Sequence, residues 1–419
     1  MPHSIIAPRQ AQLRLTSLAP DDLTPFMQTV RRGFHGDYDP EVWEHKVGLL
    51  EPHRAFGMKS GDRWVATCLA LGQTLTVPGG QVPSAAVTYV TVAPAYRRQG
   101  LLRRMMTHQL TDLRDQGREH LALLWATEGD IYGRFGYGLP APALALSGST
   151  RDTAFLPSAP VWSGSVDEVD REVFEAEVPG LRARLTADRP GALRRDDRWW
   201  HYTLADPEPL RRGASGLRFA LQVDDSGGLD GYLLFRTKEP AGGGRGAREA
   251  VVVELEAGSA GSAAALWRYL LDLDLVGSFS RPNAPMDDPL RWLVASQRAV
   301  HTELLDGPNA RIIDVTGALS ARTYSCPFDI VLEVQDPMLD NNAGRFRVEG
   351  SPDGASVTRV VGAPDLTLSV RDLATLYLGG SRATTLVRAG LVGEHRDGAA
   401  TLWDAAAAGP RAPFCDDRY

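Results

Sequence analysis

One stretch limits the folds open to this chain more than any other, V-T-Y-V-T-V-A-P-A-Y-R-R-Q-G-L-L-R-R at residues 87–104. It begins rich in Val, Thr and Tyr, as a strand does, ends as a strand at Val92, and is broken by Pro94, which has no N–H to give to a ladder. Further on, Leu102, Met106, Leu110 and Leu113 recur at three- and four-residue spacing, which predicts a helix over 101–116 with Gly117 as its stop. Arg97, Arg98, Gln99 and Gly100 then form the turn between the two. Free N–H groups at a helix start carry the positive end of the helix dipole, and a glycine there lets a pyrophosphate approach the backbone. Arg97, Arg98, Arg103 and Arg104 add charge around that point, so the segment predicts an anion cradle. The nearly unbroken apolar run at 121–126 suits a strand covered on both faces, the second member of a parallel pair joined by a crossover helix.

The flanking sequence extends this unit. Leu13 and Leu15 alternate as in a strand, and Thr24 with Pro25 opens a helix carrying Phe26, Met27 and Val30. Residues 63–76 and 82–92 are β-rich and divided by Pro78-Gly79-Gly80, which predicts an antiparallel pair. The same order returns later, with strands at 217–223, 232–237 and 250–255, a helix from about Ser262 to Leu273, and a strand at 276–279. Where the first cycle has R-R-Q-G, the second has only A-G-S-A-G-S, so the chain reads as a duplicated fold with one copy stripped of its ligand loop. The glycine-rich stretch 241–246 predicts a flexible hairpin tip. From about Val300, strand-like pieces at 311–315, 330–334, 345–349 and 357–361 precede a Ser369-capped segment with Leu373, Leu376 and Tyr377, then Gly379-Gly380. A small α+β unit accounts for them, and the expected division is 1–150, 151–299 and 300–419.

Composition excludes some functions. With 45 Lys plus Arg against 52 Asp plus Glu, the net charge of −7 gives no electrostatic reason to expect nucleic-acid binding and tolerates cationic partners. Only Lys46, Lys59 and Lys238 are lysines; the arginine excess, with many Ala and Gly, reads as compositional bias. Cys68, Cys326 and Cys415 are odd in number, far apart and without C-x-x-C spacing, which fits reduced thiols in a cytoplasmic protein. The start M-P-H-S-I-I-A-P-R-Q has neither the basic nor the long apolar region of an export signal, and no run of about 18 apolar residues occurs, so no membrane association is expected. H-E-x-x-H, G-x-x-x-x-G-K-S/T and G-x-S-x-G are all missing, and no metal is expected.

The turn R-R-Q-G-L-L at 97–102 resembles the acyl-CoA loop, R/Q-x-x-G-x-G/A, of the GNAT (Gcn5-related) acetyltransferases, with Arg97, Gly100 and Leu102 at its positions. V-T-V-A-P-A-Y-R-R-Q-G-L-L-R together with A-T-E-G-D-I-Y-G-R-F-G-Y-G more closely resembles the enhanced intracellular survival (Eis) family, where leucine at the third position is accepted. The likeness continues through D-R-W-W near Trp199 and L-Y-L-G-G near Leu378. The resemblance implies an α/β and α+β chain: tandem GNAT folds, each a mixed sheet with flanking helices, the second without a cofactor loop, then a C-terminal domain like sterol carrier protein. It implies homohexamers, acetyl-CoA as co-substrate, and transfer to amines of polycationic small molecules such as aminoglycosides, at several positions. It also implies cofactor contacts at Val90, Thr91, Val92, Arg98, Gln99, Gly100, Leu101, Leu102, Arg103, Thr127 and Glu128.

Moving an acetyl group from a thioester to an amine needs a neutral amine, a donor to the developing oxyanion and a proton for the departing thiolate. A backbone N–H near Val92 is a candidate for the second service. Tyr132 follows the apolar run closely enough to reach the sulfur, and an ordinary phenol pKa of about 10 lies near that of a thiol, about 8.5. The sequence alone reads Tyr132 equally as a buried core tyrosine; the resemblance assigns it the proton-donor role, with Tyr137 nearby as packing. For the base, the resemblance implies the α-carboxylate of the last residue, Tyr419, relaying a proton through water. That role needs a buried tail. By itself, A-A-A-A-G-P-R-A-P-F-C-D-D-R-Y reads as a frayed end, its charges Asp416, Asp417 and Arg418 arguing against burial or lining a cation pocket, with Glu128, Asp37 or Asp130 as substitute bases. Phe34, Asp37, Trp43 and Tyr89 are candidates for the acceptor pocket, since aromatic walls and a carboxylate suit a polycation. Two rival readings stand beside the enzyme: a non-catalytic lipid or ligand carrier, which expects an extended apolar tunnel in the C-terminal region, and an interaction protein that keeps only the fold.

Overall fold

The computed structural model describes residues 12–129, 131–239 and 247–419; residues 1–11, Asp130 and 240–246, which include the glycine-rich tip 241–246, lie outside the described residues. The chain opens with β1 (Leu13–Ser17), α1 (Leu23–Gly33), α2 (Pro40–Val47), β2 (Ala55–Ser60), β3 (Arg63–Val77), β4 (Gly80–Val92), α3 (Leu101–Gln116) and β5 (Leu121–Leu124). Strands β1 to β4 run antiparallel in sequence order, and β5 joins β4 in parallel after the α3 crossover. The β3–β4 hairpin turns at Gly79, whose φ of +79° favours glycine. Phe26, Met27 and Val30 form the buried face of α1 and pack into a core with Trp43, Trp64 and Leu71.

The middle of the chain supplies β6 (Ala143–Ser149), β7 (Ser165–Val169), α4 (Arg171–Leu185), α5 (Asp197–Leu204), β8 (Arg218–Val223), β9 (Leu229–Lys238), β10 (Arg248–Ala257), α6 (Ala260–Leu271), β11 (Val276–Ala284), α7 (Leu290–Leu293) and β12 (His301–Leu305). Here β7 to β10 repeat the antiparallel order, α6 is the crossover and β11 pairs in parallel with β10. The duplication read from the sequence is therefore a duplication of topology.

Last come β13 (Asn309–Ile312), α8 (Val315–Ser320), β14 (Phe328–Gln335), β15 (Gly344–Ser351), β16 (Gly354–Arg359), β17 (Leu366–Ser369), α9 (Val370–Leu376), α10 (Ala383–Arg388), β18 (Val392–Glu394) and α11 (Ala399–Ala407). Five of these strands form a third sheet in the order β16-β15-β14-β17-β18. The strand expected at 311–315 is instead the end of β13 followed by the start of α8, because Asp314 precedes a helical turn. Hydrogen bonding also crosses the seams expected at 150 and 299. Strand β6 is an inner strand of the second sheet, between β11 and β12, while β13 pairs with β5 and gives that short strand a partner on its free edge. Neighbouring elements usually come from neighbouring sequence, so such exchanges escape a reading by local order.

The carrier reading expected a tunnel behind the third sheet. The core of that region holds Tyr324, Phe328, Tyr377 and Trp403, all buried, with ring centroids of Tyr324 and Phe328 4.6 Å apart and of Phe328 and Trp403 6.1 Å apart. No helix among the described residues is long and apolar enough to cross a membrane.

Candidate active site

The site begins where two parallel strands part. Strand β4 pairs with β5 only from Ser84 to Ala86, opposite Leu121 to Leu123, and beyond Ala86 its edge is open. A bulge accompanies the parting: Thr67 faces Thr91 and Leu69 faces Thr88, so β4 holds two residues, Tyr89 and Val90, against Cys68. Tyr89 takes φ of +53°, and the Thr67 hydroxyl holds the distortion through Tyr89 O and the Thr91 hydroxyl, each at 2.7 Å.

At the far end of β4 the turn delivers α3 with its first amides free. Gly100 is the N-cap at φ +78°, with no side chain capping the helix, and the helical ladder starts with Arg104 N–H donating to Gly100 O at 3.0 Å. A Cβ on Gly100 would meet nothing within 4 Å, so the left-handed backbone rather than crowding selects glycine. Arg98 is also left-handed at +62°, and the turn is braced by Arg97 Nε donating to Val92 O (3.3 Å) and Gln99 Nε2 donating to Ala95 O (3.2 Å).

A cavity of about 640 Å³ lies between this turn and the open edge of β4. Of the sequence candidates, Phe34, Val90, Thr91, Val92, Arg98, Gly100, Leu101, Leu102, Arg103, Thr127, Glu128 and Tyr132 line it, and Arg97 joins them. Gln99 does not; its amide is spent on the turn. Leu102, read from spacing as part of the apolar stripe of α3, faces the cavity, while the buried face is Leu101, Met105, Met106, Gln109, Leu110 and Leu113. Sequence reasoning also missed Gly33, Tyr96, Ile131, Arg134 and Phe135.

Tyr132 stands half-buried in the cavity wall, edge-on to Tyr137 at 5.9 Å. Burial, with Cys68 and Glu128 nearby, pushes its phenol well above the ordinary value, so it holds its proton throughout the neutral range. Tyr137 is 1% exposed and belongs to the core. The loop carrying Tyr132 is pinned from the third region: Arg311 donates from Nε to Phe135 O (2.8 Å) and from Nη2 to both carboxylate oxygens of Asp336 (2.8 and 2.6 Å). A Cβ on Gly136, at φ +84°, would lie 2.7 Å from Arg311 Nε, so a glycine is needed for this approach.

The tail is held in place, as the resemblance implied and against its local reading as a frayed end. Thr88 Oγ1 donates to Tyr419 O (3.1 Å), on the open stretch of β4, and Trp125 Nε1, just past β5, donates to Asp417 O (2.8 Å). Arg418 lies over the Trp125 ring at 4.5 Å, and Tyr202 donates to Arg418 O at 3.2 Å. The acidic charge that argued against burial is compensated: Asp417 accepts from Arg195 Nε (2.6 Å) and Arg182 Nη2 (3.1 Å). Asp416 accepts from Asn283 Nδ2 (3.1 Å), and burial with Glu254 nearby pushes its carboxyl up to about 7.

The acceptor-wall candidates separate. Phe34 lines the cavity, but Trp43 is enclosed at 3% exposure between Tyr38 (6.1 Å, stacked) and Tyr89 (5.6 Å, edge-on), so it supports the wall rather than facing a ligand. Neither Tyr89 nor Asp37 lines the cavity; Asp37 is exposed, and its carbonyl accepts from Arg31 Nε. Asp130, a substitute base, lies outside the described residues.

In the second copy the corresponding features are occupied by the chain itself. Strands β10 and β11 pair from Arg248 to Val251 and then part, with a bulge between Val252 and Glu254. The start of α6 is closed: Ser259 Oγ accepts from Ser262 N (3.1 Å) and donates to Asp230 Oδ2 (2.5 Å).

Known proteins carry the same arrangement. Residues 14–139 and 191–312 each match the acetyltransferase (GNAT) domain, and 315–416 match the sterol carrier protein domain. An N-acetyltransferase of Streptomyces avermitilis is 39% identical over 95% of this chain and 97% of its own length. The N-acetyltransferase Eis of Mycobacterium tuberculosis is 35% identical over 80% of each chain. The crystal structure of Eis1 from Mycobacterium abscessus superposes with a TM-score of 0.81 at 33% identity, covering 97% of this chain and all of that one. An N-acetyltransferase with two GNAT domains and a sterol-carrier-like third, this chain belongs to the Eis-like family of the GNAT superfamily.

Proposed function

We propose that the enzyme transfers acetyl from acetyl-CoA directly to amines of polycationic small molecules such as aminoglycosides, at several positions. One observation carries this reading: a single cavity has an uncapped helix start at one end and a proton-holding tyrosine in its wall, and the strand that borders it also bears the chain's terminal carboxylate on Thr88. The free amides after Gly100, with Arg97, Arg98 and Arg103, suit the pyrophosphate of the donor. The open edge of β4 near Val92 offers N–H groups for the thioester oxygen. Tyr132 gives its proton to the departing sulfur; a phenol raised by burial yields that proton only as a thiolate develops beside it. The Tyr419 carboxylate draws an ammonium toward the cleft and relays its proton, which makes the tail part of the machinery.

The test is thiol release. The full chain incubated with acetyl-CoA and a multi-amine aminoglycoside should liberate free coenzyme A thiol, and Tyr132→Phe should slow that release by about tenfold or more. Release unchanged in Tyr132→Phe contradicts the proton-donor role. Mass spectrometry of the product counts the amines modified, and mass photometry checks the expected assembly of six chains.

A further inference from the structure

We infer that the open end of the second sheet is a clamp for the chain's own tail, in which buried Arg182, Arg195 and Glu254 grip Asp417 and so position the terminal carboxylate. The catalytic consequence rests on the role proposed for Tyr419; the clamp itself does not.

The four side chains form a closed ring of charge. Arg195 donates to Asp417 at 2.6 Å and to Glu254 at 3.2 and 2.8 Å, and Arg182 donates to Asp417 and to Glu254, each at 3.1 Å. Their side chains are only 1 to 4% exposed. Two guanidinium groups facing Glu254 alone leave one positive charge buried and unmatched, and buried charges are tolerated only when paired. Asp417 supplies the missing carboxylate, so docking of the tail completes the ring. Burial opposes ionisation of Glu254, yet Arg195 and Arg182 pull its carboxyl down to about 2, so Glu254 stays charged at neutral pH.

Position gives the ring its purpose. Glu254 follows the bulge at which β10 leaves β11, in the opening that corresponds to the cavity side of β4. The segment before Arg195 tracks the tail as well: Arg189 Nη1 donates to Ala412 O (3.0 Å), Phe414 N donates to Pro190 O (2.8 Å), and a Cβ on Gly191 would meet Phe414 O at 2.9 Å. Asp417 then reaches across to the first sheet, its carbonyl accepting from Trp125 Nε1. Two residues span about 7 Å, which leaves Tyr419 little freedom once Asp417 is fixed. Asp417 acts through Tyr419 and is a positioning residue.

The experiment exposes the full chain to a carboxypeptidase selective for C-terminal aromatic residues and follows free tyrosine, beside acetyl-transfer kinetics. Asp417→Asn and Glu254→Gln should release tyrosine at least about tenfold faster than the parent, with kcat for acetyl transfer falling about tenfold and KM for acetyl-CoA within about twofold. Arg195→Lys keeps the charge without the fork and should fall between. Trp125→Phe, which leaves the ion ring intact, gives a smaller rise in release and serves if the ring variants do not fold, as judged by calorimetric binding of coenzyme A. Tyrosine equally protected in Asp417→Asn, or in Trp125→Phe if the ring variants are unfolded, overturns the clamp. Tyrosine released with kcat unchanged upholds the clamp and removes Tyr419 from the chemistry.

Discussion

The two GNAT-like sheets of this enzyme share a strand order, a crossover helix, a parallel pair that parts partway along, and a bulge near the parting. They differ in what fills the opening. Helix α3 begins at an uncapped glycine and leaves its amides to a cavity, whereas α6 begins at Ser259, which caps the helix and is itself tied to Asp230. Past the parting, β4 borders open space, while Glu254 on β10 faces two buried arginines and the tail. A binding cleft thus needs more than its fold. It needs polar groups left free for a ligand, whereas in the second copy Ser262 N is taken by Ser259 and Glu254 by two arginines of the same chain.

Variants that break this asymmetry should rank by how directly they touch the open cleft. Deleting Tyr419 is expected to have the largest effect, slowing acetyl transfer about a hundredfold while coenzyme A affinity changes less than about twofold, measured by steady-state kinetics and calorimetry. Gly100→Asp, which puts a negative charge where an anion should sit, should weaken coenzyme A binding about thirtyfold, or about 2 kcal/mol. Ser259→Ala in the closed copy should leave that binding unchanged and cost about 1 kcal/mol of stability, seen as a Tm lower by about 1 °C.

A further contrast concerns acid and base in the tail. The Asp416 carboxyl is raised from 3.8 to about 7, so the folded chain holds this proton more tightly than the unfolded one, and the resulting stability is present at low pH and lost as pH rises through 7. Asp416→Asn should therefore raise Tm relative to the parent above pH 7, with the two curves converging near pH 4. Glu254 runs the other way: lowered from 4.5 to about 2, it contributes stability that persists at neutral pH and disappears only as pH falls from 4.5 toward 2. Thermal scans across pH separate the two groups.

Much of the open copy was legible because its signals are local. The strand ending at Val92, the turn with Gly100 and the helix closed by Gly117 each announce themselves within a few residues, and the structure has them in those places. Leu102 shows the limit of periodicity: a residue at the rim of the apolar face fits the spacing and still points to the cavity. The closed copy was legible only as a pattern. Its ion ring joins Arg182 to Glu254 across 72 positions and to Asp417 across 235, and in a chain with 45 basic residues, nearly all arginine, no single arginine stands out. The exchanged strands β6 and β13 escaped for the same reason, since their partners lie far off in sequence. Burial of the tail, which its charges alone argued against, followed from partners that local reading does not reach.

One copy binds and the other is filled from within. Calorimetric titration of the full chain with coenzyme A tests it most directly. One site per chain is expected, weakened about thirtyfold by Gly100→Asp; two sites per chain, or one that keeps its affinity in Gly100→Asp, would overturn the asymmetry of the two copies.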